Sequence, residues 1–431
     1  MNNKQRFFGN RIVFGAFIIT VFTVAIINNT PAFYMTPVNQ EFGFTTAQFS
    51  VSYAMAALGA AVGAMFAGYL IEKMPIRLMM VLGSIATGIA FMTLSIATQL
   101  WQFYILFFIA DASMMTIANV PLTSMLNNWF IDKRGTMTGL VFAGAGLGAI
   151  FLSPLTELMI QSLGWKTAVF ISGAIILVTA IPVSALIFYK KPSDVHQVPF
   201  TYPEGSPQAI KAAEKREKEE REKGAEDPHS GVPKKIALRS SAFLFLTMGL
   251  FCMGMVASGV MVHIPNFLYD IDMNAGLVMS VLSIGLLIGT FAIGIVIDRF
   301  SVNASILLST VLFIFGMVSL YFTTNIPALA YVTAVLVGLS VCISAVGPPL
   351  LTATIFGMKD YSFLYGLNYA LFLVGCMVGP VFCGIIYDTS GSYNLVWIIN
   401  ILIAIGMFVF CNFSLKAGKT LRSKFSESAS I

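Results

Sequence analysis

Asp111 sits inside an apolar run of membrane-spanning length, and hydropathy places no other acid so far from the end of such a run. A charge at the centre of a membrane helix is unfavourable by about 2.5–3.5 kcal/mol on insertion scales. Acids found there face a bundle interior and serve ligand binding or proton relay. The competing reading is a structural carboxyl, neutral or hydrogen-bonded within packed protein. On a continuous helix Met115, Ala118 and Asn119 share roughly the Asp111 face. Other polar groups lie at similar depth. Asn28, Asn29 and Thr30 precede Pro31, whose ring deprives a carbonyl one turn upstream of its helical donor. Ser340 and Ser344 fall one turn apart in a later run, and Asn368 and Tyr369 in the run after that. Together these residues are candidates for lining the path of a small solute. For the serines the alternative is a hydrogen bond within their own helix. His263 and Asn266 are expected at the outer end of the seventh run, and the many Met and Phe residues as packing or lipid-facing groups.

A second chemistry-bearing pattern occurs twice. Gly59, Gly63, Gly68, Glu72 and Lys73 close one apolar run; Gly285, Gly289, Gly294, Asp298 and Arg299 close another, 226 residues later and at the same spacing. Each copy reads as a helix with a stripe of small residues that ends in an acid–base pair. Internal repeats of this kind mark transporters built from two similar halves. Small residues recur in Gly144 with Gly148 and in Gly375 with Gly379. Lipid tails are as apolar as leucine, so membrane helices gain by close backbone approach, which glycine permits. Static packing explains these pairs; a seam along which the halves rock is the functional alternative.

The elements that must position these groups follow from composition. Of 431 residues 57% are hydrophobic and only 10% charged, against about a quarter charged in soluble proteins. Twelve runs long enough to cross a bilayer as helices lie near 12–36, 47–71, 78–97, 101–127, 136–162, 166–189, 241–266, 276–297, 303–323, 327–354, 363–387 and 394–415. The expected fold is an all-α membrane protein with two pseudo-symmetric six-helix bundles, 1–189 and 241–431, the second ending in a short cytoplasmic tail. Between them, 190–240 reads as a cytoplasmic linker containing six prolines and the charged stretch 211–223, whose Glu–Lys and Glu–Arg pairs suit a solvated helix. With both termini inside, 24 of the 25 Lys and Arg residues fall on the cytoplasmic side and only Lys166 lies outside. The five cysteines have no metal-ligand or redox spacing, no Gly-x-x-x-x-Gly-Lys-Ser/Thr loop occurs, and no signal-peptide cleavage site follows the basic start. No cofactor, metal or nucleic acid is implied, and neither an ATP-driven pump nor an enzyme is indicated.

The loop Gly68-Tyr-Leu-Ile-Glu-Lys-Met-Pro-Ile-Arg77 resembles the signature between helices 2 and 3 of the major facilitator superfamily, Gly-x-Leu-Ala-Asp-Arg-x-Gly-Arg-Arg. Gly68, Leu70 and Arg77 match; Glu72 and Lys73 are conservative replacements; Pro75 stands where the family has glycine and Ile76 where it has a base. The resemblance covers the whole chain. It implies that Gly68, Glu72, Lys73 and Arg77, with Gly294, Asp298 and Arg299, form a cytoplasmic latch made and broken as the transporter changes state. The stretches Asn128-Trp-Phe-Ile-Asp-Lys-Arg-Gly-Thr-Met-Thr-Gly139 and Ile355-Phe-Gly-Met-Lys-Asp-Tyr-Ser362 look like loops of the monocarboxylate and oxalate/formate branch. That branch typically holds its anion with Arg or Lys on helices 8 and 11, yet 276–297 and 363–387 contain neither. Anion recognition by neutral donors and a neutral or apolar substrate both remain open.

These observations predict a secondary active transporter of a small organic solute, coupled to protons or to a counter-substrate, working as a monomer among the lipids of the plasma membrane. Monocarboxylates are the substrate class that the resemblance implies. The alternatives are a carrier of a neutral or hydrophobic compound and a non-transporting membrane sensor with 190–240 as its output segment.

Overall fold

The computed structural model describes residues 7–131, 134–201, 231–357 and 360–429; the charged stretch 211–223 lies outside them. Helices make up nearly all of the described residues, and no strand is formed among them beyond two isolated bridges. Among the described residues eleven helices are long and apolar enough to cross a membrane: α1 (Gly9–Phe42), α2 (Thr46–Lys73), α3 (Ile76–Ile96), α4 (Leu100–Trp129), α5 (Met137–Leu163), α6 (Trp165–Leu186), α7 (Ser241–Asp270), α9 (Val302–Phe322), α10 (Leu329–Phe356), α11 (Phe363–Ser390) and α12 (Tyr393–Arg422). The twelfth helix of the expected series, α8, spans Ala275–Arg299.

Several helices outrun their hydrophobic stretches. α1 continues to Phe42 and stops at Gly43, whose φ of +68° is the left-handed cap that glycine adopts without strain. The helix containing α12 continues to Ala429. Hydropathy marks where a chain leaves hydrocarbon, whereas a helix ends where its hydrogen-bond ladder does. This corrects the placement of His263: α7 runs on to Asp270, and His263 is fully buried two turns before its end.

The chain forms two compact units, Met1–Ala212 with Asn274–Ser280, and Ala213–Met273 with Val281–Ile431. In the first, α1 packs on α5, α2 on α4, and α3 on α6. In the second, α7 packs on α11 and α9 on α12, with the same intervals. Glycines explain these pairings. A Cβ on Gly59 or Gly63 would strike the carbonyl of Phe108 or Ala112 on α4; Gly285 and Gly289 face Val335 and Leu339 on α10 at a looser approach. Gly144 and Gly148 press on Thr20 and Val21 of α1, and Gly375 and Gly379 on Phe251 and Met255 of α7. Each of these contacts lies inside one unit.

The repeat extends to irregular backbone. α4 is broken between Met114 and Asn119, and α10 at Cys342, positions that the 226-residue interval superposes. At the ends of these helices the chain is stitched in matching fashion. Phe200 N–H donates to the Trp129 carbonyl (2.8 Å), and Val232 N–H to the Phe356 carbonyl (2.9 Å).

Candidate functional site

Asp111 lies half-buried in the first segment of α4, Leu100–Met114. Among the described residues no donor or cation contacts its carboxyl. The helix fails just after it. Thr116 and Ile117 reach back only three residues, to Ser113 and Met114, and Ala118 takes φ −107° and ψ −90°, outside the helical region. Pro121 contributes, since it has no N–H to offer the Ile117 carbonyl. The break overturns the assumption of a continuous helix by which Asn119 shares the Asp111 face. Asn119 instead opens the second segment, its Nδ2 donating to Met115 Sδ at 3.4 Å. Non-helical backbone at membrane depth is tolerated where it is covered by protein or lines a polar cavity, and transporters place binding groups at such breaks.

α1 is also irregular, with a π-helical turn at Thr20–Val24 and an interruption at Thr30. Asn28 is exposed; Asn29 donates to Ala25 O (3.2 Å) and Thr30 to Ile26 O (2.8 Å). The carbonyl of Pro31 accepts from Tyr53 OH at 3.1 Å. Farther toward the N-terminus a cleft of about 390 Å³ lies between Phe14 and Phe17 of α1 and Met137 and Leu140 of α5. It contains none of the polar residues singled out from sequence.

In the second unit Ser340 and Ser344 flank the break in α10. Their hydroxyls donate to Val337 O (2.8 Å) and Val341 O (2.7 Å), and both line a cavity of about 20 Å³, too small for an organic solute. Asn368 is fully buried on α11; its Oδ1 accepts from Thr247 of α7 at 3.2 Å, while its Nδ2 has no partner among the described residues. Tyr369 is exposed in a ladder of rings, 5.5 Å from Tyr365 and 5.5 Å from Phe372. His263 joins three helices: Pro380 O can only accept, so Nε2 donates to it (2.9 Å) and Nδ1 accepts from Tyr393 OH (3.2 Å).

At the loop between α2 and α3, Glu72 and Lys73 are exposed and Gly68 faces open space. Lys73 lies 5.8 Å from the Tyr69 ring. Arg77 does not turn to Glu72. Its Nε donates to Phe188 O (2.6 Å) and Nη2 to Leu186 O (3.4 Å), and its guanidinium stacks on Tyr189 at 3.8 Å. A cation on the last carbonyls of α6 is favoured by the helix dipole. Lys190 does the same for α2 through Ile71 O (2.7 Å). The surroundings of Gly294 and the side chains of Asp298 and Arg299 lie outside the described residues.

One acid escaped the sequence reading. Glu157 on α5 is only 1% exposed, and its carboxylate accepts from the backbone N–H groups of Ala275 (3.1 Å) and Gly276 at the start of α8. This contact falls within the first unit. A Cβ on Gly276 would collide with Pro154 and Glu157, so glycine lets the helix start sit against α5. The signal in the sequence was the charge itself, a turn from the end of an apolar run.

A profile of the Major Facilitator Superfamily matches residues 13–275 and 270–430. Monocarboxylate transporter 12 of Homo sapiens is 23% identical over 450 residues, covering 94% of this chain and 78% of that protein. The oxalate:formate antiporter of Oxalobacter formigenes is 23% identical over 195 residues, covering 43% of this chain and 46% of its own. Among solved structures, the nucleoside transporter NupG superposes with a TM-score of 0.72 at 12% identity, covering 94% of this chain and 99% of that one. A bacterial homolog of the human lysosomal transporter Spinster superposes with a TM-score of 0.64 at 14% identity, covering 97% and 98%.

Proposed function

Because this chain belongs to the major facilitator superfamily, we propose that it carries a small organic anion, a monocarboxylate or a close relative of one, across the plasma membrane by alternating access, coupled to protons or to exchange. The observation that carries this reading is the break in α4 directly after Asp111, which sets a carboxyl without a partner among the described residues beside irregular backbone at membrane depth. Asp111 holds or passes the proton; Asn28, Asn29, Asn119, Asn368 and Tyr369 line the solute path. Gly68, Glu72, Lys73 and Arg77, with Gly294, Asp298 and Arg299, change partners as the carrier changes state. Both termini face the cytoplasm. The substrate class is supported by the sequence likeness to a monocarboxylate transporter and an oxalate:formate antiporter.

A second reading has its own support. Neither α8 before Arg299 nor α11 carries a Lys or Arg. An anion held at low dielectric without a cation is costly, and a neutral solute avoids that cost. Counterflow in proteoliposomes, with a panel of carboxylates and neutral metabolites and with or without a pH gradient, separates the two. Exchange of a carboxylate, accelerated by an inward proton gradient, is the expected result. Exchange confined to neutral compounds selects the second reading.

A further inference from the structure

The cavity at the break in α10 is lined by Ser309 and Phe313 of α9, Ser340 and Ser344 of α10, Met253 of α7 and Met407 of α12, all in the second unit. Its volume of about 20 Å³ exceeds the roughly 10–15 Å³ that one water molecule requires. Its hydrogen-bond inventory is uneven. Ser340 and Ser344 give their protons to Val337 O and Val341 O and so present lone pairs only. Ser309 is 2% exposed, and its Oγ has no partner among the described residues. The same stretch of α10 has carbonyls short of donors, because Pro348 and Pro349 have no N–H for Ser344 and Ala345.

We propose that this cavity is a binding site for one water molecule, which accepts the Ser309 proton and donates to oxygens at the α10 break. The proton balance selects water over the alternatives. A cation could use the oxygens but cannot accept the Ser309 proton, and an apolar occupant would likewise leave that proton unpaired; water can accept it and donate in turn. The bridge ties α9 to the break in α10 through bonds that form and break easily, so the break is held without being locked. It stands apart from the identity of the transported solute.

Diffraction from xenon-pressurised crystals of the full chain, at a resolution that shows ordered water, tests the site. The expected result is a single peak about 2.6–3.2 Å from Ser309 Oγ, with no xenon. Xenon in the cavity, or no density there, overturns the proposal. Melting in detergent provides a second test. Ser309→Ala is expected to lower the midpoint by about 1–4 °C, equally in sodium and in choline buffers; an unchanged midpoint counts against the water. A sodium-dependent rise that Ser309→Ala abolishes assigns the cavity to a cation instead and overturns the proposal.

Discussion

At the scale of single residues, Asp111 and Arg77 carry the sharpest expectations. Asparagine is close to aspartic acid in shape but cannot exchange a proton, so Asp111→Asn should insert and fold while losing the driven step. Uptake driven by a proton gradient is expected to fall by about tenfold or more while counterflow persists. Undiminished proton-driven uptake by that variant removes Asp111 from the coupling role. Arg77 makes a different contribution. Its guanidinium caps α6 and stacks on Tyr189 in one planar group. Hydrogen bonds to a charged group contribute about 1.5–3 kcal/mol, so Arg77→Ala should lower the melting midpoint by several degrees. Lysine has one charged nitrogen and no flat face, and Arg77→Lys should recover only part of the loss. Equal midpoints for the three proteins would mean the cap contributes nothing measurable.

At the scale of elements, the spans were legible because a membrane helix is written in hydropathy, and the packing stripes because glycine recurs at a helical interval. What each glycine touches was not legible: the sequence shows that Gly63 is small, not that the Ala112 carbonyl lies against it. Gly68 belongs to the family signature yet meets nothing, while Gly63 lies outside that signature and meets backbone. A methyl group has opposite consequences at the two sites. Gly63→Ala should destabilise by about 1–3 kcal/mol through forced separation of α2 and α4. Gly68→Ala, on an exposed helical face, should be neutral or stabilising by up to about 1 kcal/mol. Melting curves of the two variants check the pair, and reversed signs would discard the packing account. The breaks in α4 and α10 stayed hidden because apolar periodicity continues through a three-residue turn. Their trace lies in Pro121 and Pro348, each placed to remove a donor within a turn of the break. The role of Glu157 is not legible in the sequence, because its N–H partners come from a helix start 118 and 119 residues downstream, at Ala275 and Gly276.

At the scale of the whole molecule, the repeat is the deepest regularity, and five matched residues in each half of the sequence carry it. The structure extends it to helix pairing, to the breaks in α4 and α10, and to the stitches at their ends. Those stitches bear on the charged stretch 211–223. Phe200 is tied to Trp129 on one side of it and Val232 to Phe356 on the other, so removal of 211–223 deletes none of these anchors. If the stretch is a solvated spacer, deleting it should leave the melting midpoint within about 0.5 kcal/mol equivalent, the range of surface changes, and counterflow close to that of the intact chain. A sensor speaking through this segment would show no exchange in the intact chain and would lose its output on the deletion. The two readings therefore differ first in the intact protein, where exchange must be present for the carrier, and then in the deletion, where it must survive. Loss of counterflow with an unchanged melting midpoint would place the segment inside the transport cycle and overturn its reading as a spacer.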